Sequence, residues 1–236
     1  MTSVGKAIWT EMLLTSAVFT TGEVAEAAGV RPSNASRDLA RLEEEGMLTK
    51  VRRGLWAIPN HPDFSPYAVV PRLFSGDEGG YVSLVSALNL HGMIDQVPRV
   101  VHVMATTQRA DLVTPVGHYH FHQIQSKLFD GFAPYRGMGN FDIATPEKAL
   151  FDILYLSTRK GQRFSHLPEI ELPDTFSWIQ MDEWINRIDL DPLRIAVRER
   201  WVTLARGDKF RRVLVKVPDE PPMPGDELPE GIDPEE

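Results

Sequence analysis

The first 60 residues show apolar positions at helical spacing, separated by residues that begin or end helices. Thr20 and Glu23 have the spacing of a capping box, which begins a helix that ends at Gly29. The predicted elements are a helix containing Ile8, Met12 and Leu13, a short helix over 24–28, a longer helix from Pro32 or Ser33 to Gly46 that buries Ala35, Leu39 and Leu42, and strands over 48–52 and 55–58. This order is typical of a winged helix-turn-helix domain.

The rest of the chain alternates between strand and helix patterns, after a connector over 61–80 that is rich in proline and glycine. Thr145-Pro146-Glu147 is a typical helix start, with proline at the first helical position. The predicted elements are helices over 84–91, 145–157, 181–188 and 191–206, and strands over 100–104, 119–124 and 212–217. The sequence therefore predicts an α+β fold, with a winged helix-turn-helix domain over 1–60, the connector over 61–80, a mixed α/β domain over 81–217 and a tail over 218–236.

The net charge of −8 is unevenly distributed along the chain. Residues 1–60 are balanced, residues 61–186 carry −5 and residues 187–217 carry +5. The tail contains eight acidic residues, no basic residue and six prolines, a composition typical of disordered segments. The acidic total does not argue against a nucleic-acid partner, because binding depends on where the basic residues lie.

Composition also limits the compartment and the chemistry. The chain has no cysteine, which excludes disulfides, thiolate metal sites and cysteine nucleophiles. No apolar run approaches the roughly 20 residues needed to cross a bilayer, and the N-terminal residues do not form an apolar signal core. We expect a cytoplasmic protein with no membrane contact.

The longer N-terminal helix presents polar and basic side chains on the side opposite its apolar positions. Short polar donors and arginines are suited to the major groove, and basic residues in a wing can reach phosphates or the minor groove. The candidate DNA-binding residues are Ser33, Asn34, Ser36, Arg37 and Arg41 in the helix and Lys50, Arg52 and Arg53 in the wing. The alternative is a small helical domain with a hairpin that serves dimerisation. Because residues 1–60 are neutral, we expect modest DNA affinity unless a dimer or a second basic surface contributes.

A second group of basic residues lies near the end of the mixed domain. Its candidate DNA contacts are Arg194, Arg198, Arg211 and Arg212, in a segment that also contains Arg200, Arg206, Lys209 and Lys216. Such a surface would add phosphate contacts beside those of the winged helix. The alternative is a solvated face that the acidic tail partly screens, and we hypothesise that the tail competes with DNA for this face.

Alternating histidines at 118, 120 and 122 place three imidazoles on one face of a predicted strand. This spacing can ligate zinc when further ligands approach, and His102 and Asp142 are candidates. We favour the alternative of hydrogen-bonded histidines in a half-buried strand, because no general base has a matching spacing. The sequence therefore predicts no catalytic residue, no metal and no cofactor.

Charged residues in the helix over 145–157 have structural explanations. Glu147 lies in the first turn, where a carboxylate is stabilised by the helix dipole. Lys148 and Asp152 have the i, i+4 spacing of a helical ion pair. We do not assign acid–base chemistry to these residues.

Two strings in the mixed domain have a recognisable pattern. Residues 81–92 are Tyr-Val-Ser-Leu-Val-Ser-Ala-Leu-Asn-Leu-His-Gly, and residues 143–152 are Ile-Ala-Thr-Pro-Glu-Lys-Ala-Leu-Phe-Asp. Together with Val100-Val101-His102-Val103 and Phe121-His122, they resemble the AbiEi-type antitoxins of type IV toxin–antitoxin and abortive-infection systems. The resemblance covers about residues 5–160 and does not include the acidic tail.

The resemblance implies two activities. The winged helix would bind repeats in double-stranded promoter DNA of its own operon and repress it, and the second domain would counteract a nucleotidyltransferase-like toxin. In this family the toxin is usually counteracted without a stable direct complex. The residues themselves leave two alternatives open: a metal-dependent hydrolase or nuclease centred on the histidine strand, and a ligand-responsive transcriptional regulator.

Overall fold

The computed structural model describes residues 16–75, 79–159, 169–206 and 210–212. The predicted first helix, with Ile8, Met12 and Leu13, lies outside the described residues, as does the acidic tail over 218–236. Of the last strand, predicted over 212–217, residues 213–217 lie outside the described residues.

The N-terminal domain contains two helices and a three-stranded antiparallel sheet among the residues described. Its elements are strand β1 (Val18–Thr20), helix α1 (Thr21–Ala28), helix α2 (Pro32–Glu44), strand β2 (Thr49–Arg52) and strand β3 (Leu55–Ala57). The strand order is β1-β3-β2. Strand β1 was not predicted, because three residues directly before a capping box are too short to show a strand period.

Local sequence signals account for both helices. The hydroxyl of Thr20 accepts from the N–H of Glu23 at 3.2 Å, and the Glu23 carboxylate accepts from the N–H of Thr20 at 2.6 Å, which confirms the capping box. Gly29 ends α1 with φ of 62°. Pro32 occupies the first turn of α2, whose Ala35 and Leu39 are buried as predicted.

The second part of the chain forms a six-stranded mixed sheet with helices. Its elements are strand β4 (Gly80–Val82), helix α3 (Leu84–Leu90), strands β5 (Val101–Ala105), β6 (Leu112–Thr114), β7 (Gly117–Gln123), β8 (Phe132–Arg136) and β9 (Asn140–Ala144), helix α4 (Pro146–Arg159), strand β10 (Ile170–Leu172), helices α5 (Trp178–Asn186) and α6 (Asp191–Arg206) and strand β11 (Phe210–Arg212). The strand order is β6-β7-β5-β4-β9-β8, and β10 pairs with β11 in a separate parallel ribbon. The predicted α+β class is confirmed.

The segment predicted as a connector is a packed element on one face of the large sheet. Residues Pro66–Leu73 form a 3₁₀ helix, in which Val69 and Val70 are fully buried. Tyr67 stacks on Phe141 with ring centroids 5.4 Å apart. The pattern was missed because 3₁₀ packing repeats every three residues and two prolines interrupt helical spacing.

The N-terminal domain packs against this 3₁₀ helix. One face of its small sheet belongs to a local core with α1 and α2, which includes Phe19, Leu39 and Trp56. The other face contributes Val18 and Leu55 to the large core of the second part. The two parts of the chain therefore share a buried apolar contact.

Helices α3 to α6 form the layer on the opposite face of the large sheet. Ser86 of α3 accepts from the backbone N–H of His102 at 3.0 Å, and Asp152 of α4 accepts from the Tyr81 hydroxyl. Helices α5 and α6 pack on α4. The sheet therefore separates α5 and α6 from the N-terminal domain. Among the described residues, the helices lack the length and apolar character required to traverse a bilayer.

Candidate nucleic-acid interface

Helix α2 exposes the polar face that the sequence predicted. Ala35 and Leu39 are buried and Leu42 is half-buried, so the remaining sides of the helix face solvent. Five predicted DNA-binding residues of this helix are exposed: Ser33, Asn34, Ser36, Arg37 and Arg41. The structure thus presents hydroxyl, amide and guanidinium donors together on the exposed side of one helix.

Of the acidic residues at the end of α2, Glu45 pairs with the helix itself and Glu43 with the β2–β3 hairpin, the predicted wing. Arg41 Nε lies 3.3 Å from Glu45 Oε1, and both side chains are about half exposed. An exposed i, i+4 pair of this kind contributes little and can be exchanged for a phosphate. Glu43 accepts from the backbone N–H of Lys50 at 2.9 Å, which fixes the start of the wing against the helix.

The wing residues divide into two groups. Lys50 and Arg53 are exposed, and Arg53 precedes Gly54, whose φ of 77° makes the tight turn. Arg52 is half-buried and donates to the backbone carbonyl of Arg72 at 2.9 Å. Lys50 and Arg53 are therefore available to a partner, whereas Arg52 joins the wing to the 3₁₀ helix.

Arg72 makes a second contact with the N-terminal domain. Its guanidinium lies 2.5 Å from the carboxylate of Glu23, the capping residue of α1. Burial raises the pKa of Glu23, but the hydrogen bonds from the Thr20 N–H and Arg72 outweigh it, and the net shift is downward. Residue spacing does not reveal Arg72, because it lies 49 positions from its partner.

Helix α6, which carries part of the predicted second basic surface, is on the other side of the large sheet from the N-terminal domain. Arg194 donates to the carbonyl of Ile188 and pairs with Asp191, and Arg198 donates to the amide oxygen of Asn186 at 2.7 Å. The backbone positions of Arg211 and Arg212 are in β11, where they pair with β10. The structure does not bring α6 together with α2 and the wing, although the sequence suggested a surface beside the winged helix.

The three alternating histidines share one face of β7, as predicted from their spacing. His122 is buried, His120 is half-buried and His118 is exposed. His122 Nε2 lies 2.9 Å from Nδ1 of His102 on β5, and His120 Nε2 lies 3.5 Å from Asp111 Oδ2. Within the described ranges, no three or more His, Asp or Glu side chains are arranged to hold a metal ion.

The environment of the histidine face disfavours a charged imidazole at its centre. Burial, with a smaller contribution from the adjacent His120, lowers the pKa of His102 to about 4, although Asp111 opposes the shift. Asp142, the other candidate ligand, lies on β9, which β5 and β4 separate from β7. The structure therefore brings His102 to the predicted histidines but not Asp142.

A fully buried ion pair occupies the interior of the helical layer. Lys148 pairs with Asp152, as the i, i+4 spacing predicted, and both side chains are inaccessible to solvent. Asp152 also accepts from the hydroxyls of Ser83 at 2.8 Å and Tyr81 at 3.1 Å. Burial lowers the pKa of Lys148 and raises that of Asp152, and the pairing of the two opposes both shifts. These contacts tie α4 to β4 and to the start of α3, and the cluster has no solvent access in the structure.

In the comparison with known proteins, the N-terminal segment is similar to one family. Residues 13–59 match the model of a family described as "Transcriptional regulator, AbiEi antitoxin". No curated protein matches the chain. The predicted resemblance to AbiEi-type antitoxins is confirmed over this segment, which includes α1, α2 and the wing.

Proposed function

We propose that this protein, with the N-terminal domain of an AbiEi-type antitoxin regulator, is a DNA-binding autorepressor and the antitoxin of a type IV system in the cytoplasm. One observation supports the DNA-binding part most directly. The segment that matches the regulator family, residues 13–59, is the segment in which α2 and the wing expose their donors. The proposed function is regulatory and non-enzymatic.

The proposed DNA contact places α2 in the major groove and the wing beside it. Arg37 lies at the centre of the exposed face of α2, where its guanidinium can donate to the edge of a guanine. Arg53, at the wing turn, is placed for a phosphate or the minor groove. Arg52 holds the wing against Arg72 in this arrangement, so we assign it a positioning role.

The charge of the N-terminal domain sets a limit on affinity. Residues 1–60 carry seven basic and seven acidic residues, so few phosphates are neutralised by one copy. Several copies bound to repeated sites in the promoter would together reach the affinity that one N-terminal domain lacks. We propose this mode for repression of the protein's own operon.

The antitoxin part of the proposal rests on the resemblance of the second domain. The residues of its two strings are mostly buried: Ser83, Ala87 and Lys148 are fully inaccessible to solvent. These strings therefore specify the fold rather than a docking surface. We propose that the domain counteracts a nucleotidyltransferase-like toxin, with direct contact not required.

Promoter binding tests the DNA part. Fluorescence anisotropy with a labelled duplex from upstream of the protein's own gene should show that Arg37→Ala and Arg53→Ala each weaken binding by about 1–3 kcal/mol. Arg198→Ala, which removes an exposed arginine across the sheet, is the matched comparison and should bind as the wild type does. If Arg198→Ala loses affinity while the other two variants do not, the DNA surface lies on α6 instead.

Growth rescue tests the antitoxin part. The adjacent gene is co-expressed with the full chain, either wild type or with Arg37→Ala and Arg53→Ala combined. The full chain is used because Val18 and Leu55 share the core of the second part, so removal of residues 1–60 would expose it. Rescue by the double variant is expected if neutralisation is separate from DNA binding. The absence of a toxic neighbour would contradict the antitoxin assignment and leave a winged-helix regulator.

A further inference from the structure

A cleft lies between the wing and the second part of the chain. Its volume is about 550 Å³, and it is open to solvent on the same face of the sheet as the N-terminal domain. Arg52 of β2 lines one side, and the loop over 107–111, which follows β5, lines the other. Leu73 and Phe121 are also among its lining residues. The loop thus lies beside β2, across the cleft from Arg52.

Two guanidinium groups are held at this cleft. Arg52 donates to the carbonyl of Arg72 at 2.9 Å, and Arg109 donates to the carbonyl of Leu73 at 2.8 Å. Arg109 also lies over the rings of Phe74 and Phe121, at 4.5 and 5.5 Å from their centroids. Arg52 keeps its role of holding the wing, and the position of Arg109 is fixed before a partner arrives, which reduces the entropy lost on binding.

Among the described residues that line the cleft, the one acidic side chain, Asp111, has contacts of its own. Asp111 accepts from the backbone N–H of Phe121 at 3.3 Å, and its other oxygen lies 3.5 Å from His120. Thr107 and Gln108 are exposed next to it and present a hydroxyl and an amide. Hydroxyl, amide and guanidinium donors are the groups that bind sugar–phosphate oxygens.

We propose that the loop over 107–111 is a second DNA-binding element, which contacts the sugar–phosphate backbone next to the segment held by the wing. The inference rests on the proposed function. Arg52 directly precedes the wing turn at Arg53, so the backbone of a duplex that passes the turn continues toward Gln108. The basic residues of α6 do not reach this duplex, because the sheet lies between. The loop therefore supplies the additional phosphate contacts that the neutral N-terminal domain lacks.

Charge substitutions at Gln108 test the loop without disturbing its packing, because this side chain is exposed. Gln108→Lys should tighten binding of the full chain, and Gln108→Glu should weaken it, by about twofold to fivefold each. Gln180, an exposed glutamine on α5 across the sheet, provides matched controls as Gln180→Lys and Gln180→Glu. The probes are a labelled duplex from upstream of the protein's own gene and a random-sequence duplex of equal length.

The salt dependence identifies the kind of contact. Gln108→Lys should steepen the slope of log affinity against log salt by about one, equally on both duplexes, because a phosphate contact does not depend on sequence. Gln108 variants that change affinity no more than the Gln180 variants would overturn the inference. If Arg37→Ala still weakens promoter binding in that case, the proposed function stands without the loop. If the wild-type chain binds neither duplex, both the loop inference and the proposed DNA-binding function are wrong.

Discussion

His102 should make the protein less stable as the pH falls, because its imidazole is held neutral in the folded state. The residue is on β5, hydrogen-bonded to His122, with His120 and Asp111 nearby. Its pKa is lowered from 6.5 to about 4, mainly by burial. In the unfolded chain the same group takes up a proton near pH 6.5. The stability linked to His102 is therefore fully present above pH 6.5 and lost as the pH falls toward 4.

The size of the effect follows from the two pKa values. A shift from 6.5 to about 4 corresponds to a total of about 3 kcal/mol. As the pH falls from about 7.5 to about 5, His102 takes up a proton in the unfolded chain but not in the folded protein, and about 2 kcal/mol of this stability is lost. The free energy of unfolding of a domain seldom exceeds about 15 kcal/mol, so a change of this size is measurable.

Urea denaturation at these two pH values measures the effect. His102→Gln removes the titrating group but keeps a hydrogen-bond donor for His122. The free energy of unfolding of the wild type should fall by about 2 kcal/mol more than that of the variant. His118→Gln, which replaces an exposed histidine on the neighbouring strand, is the control and should follow the wild type. Equal losses in the wild type and His102→Gln would refute the reasoning.

Two further predictions concern the core of the second part. Asp152→Asn should lower the free energy of unfolding by about 3–5 kcal/mol, because it leaves the ammonium of Lys148 buried without a counter-charge. The double variant Lys148→Met with Asp152→Leu should recover most of this loss. A double variant as unstable as Asp152→Asn would contradict the reasoning. Gly131→Ala should cost about 2–4 kcal/mol, because φ is 76° and the new methyl group would overlap the ring of Trp184. Gly92→Ala is the control, because Gly92 has a φ of 68° but open space around it, and it should lower the free energy of unfolding by only about 1–2 kcal/mol. Equal losses at the two glycines would count against the overlap with Trp184.

The elements that the sequence predicted best are those whose signals act over a few residues. The capping box at Thr20 and Glu23, the proline at the start of α4 and the buried side of α2 appear in the structure as expected. Each depends on neighbours within about one helical turn, which are close in space whatever the rest of the chain does. The exposed face of α2 follows directly from its buried face.

The sequence predicted which residues of the candidate interface are exposed, but not the contacts that hold the wing in place. Exposure of Arg37 and Arg53 agrees with the pattern, whereas the contact of Arg52 with Arg72 has no local signal. The 3₁₀ helix that supplies Arg72 lies in a segment that looked like a connector. Its buried residues pack against residues of the small and the large sheet. These contacts are distant in the chain, so residue spacing does not predict them.

By itself, the amino-acid sequence determined that this is an α+β protein, with the order of helix, turn, helix and wing at its N-terminus and a balanced charge in that domain. The tertiary structure alone decided which basic residues share a surface. It placed the loop around Gln108 beside the wing and Arg198 across the sheet, although Arg198 belongs to the more basic segment. The physical reason is that hydrophobic burial selects the layer in which each helix packs, and long-range packing then brings together residues that are far apart in the chain.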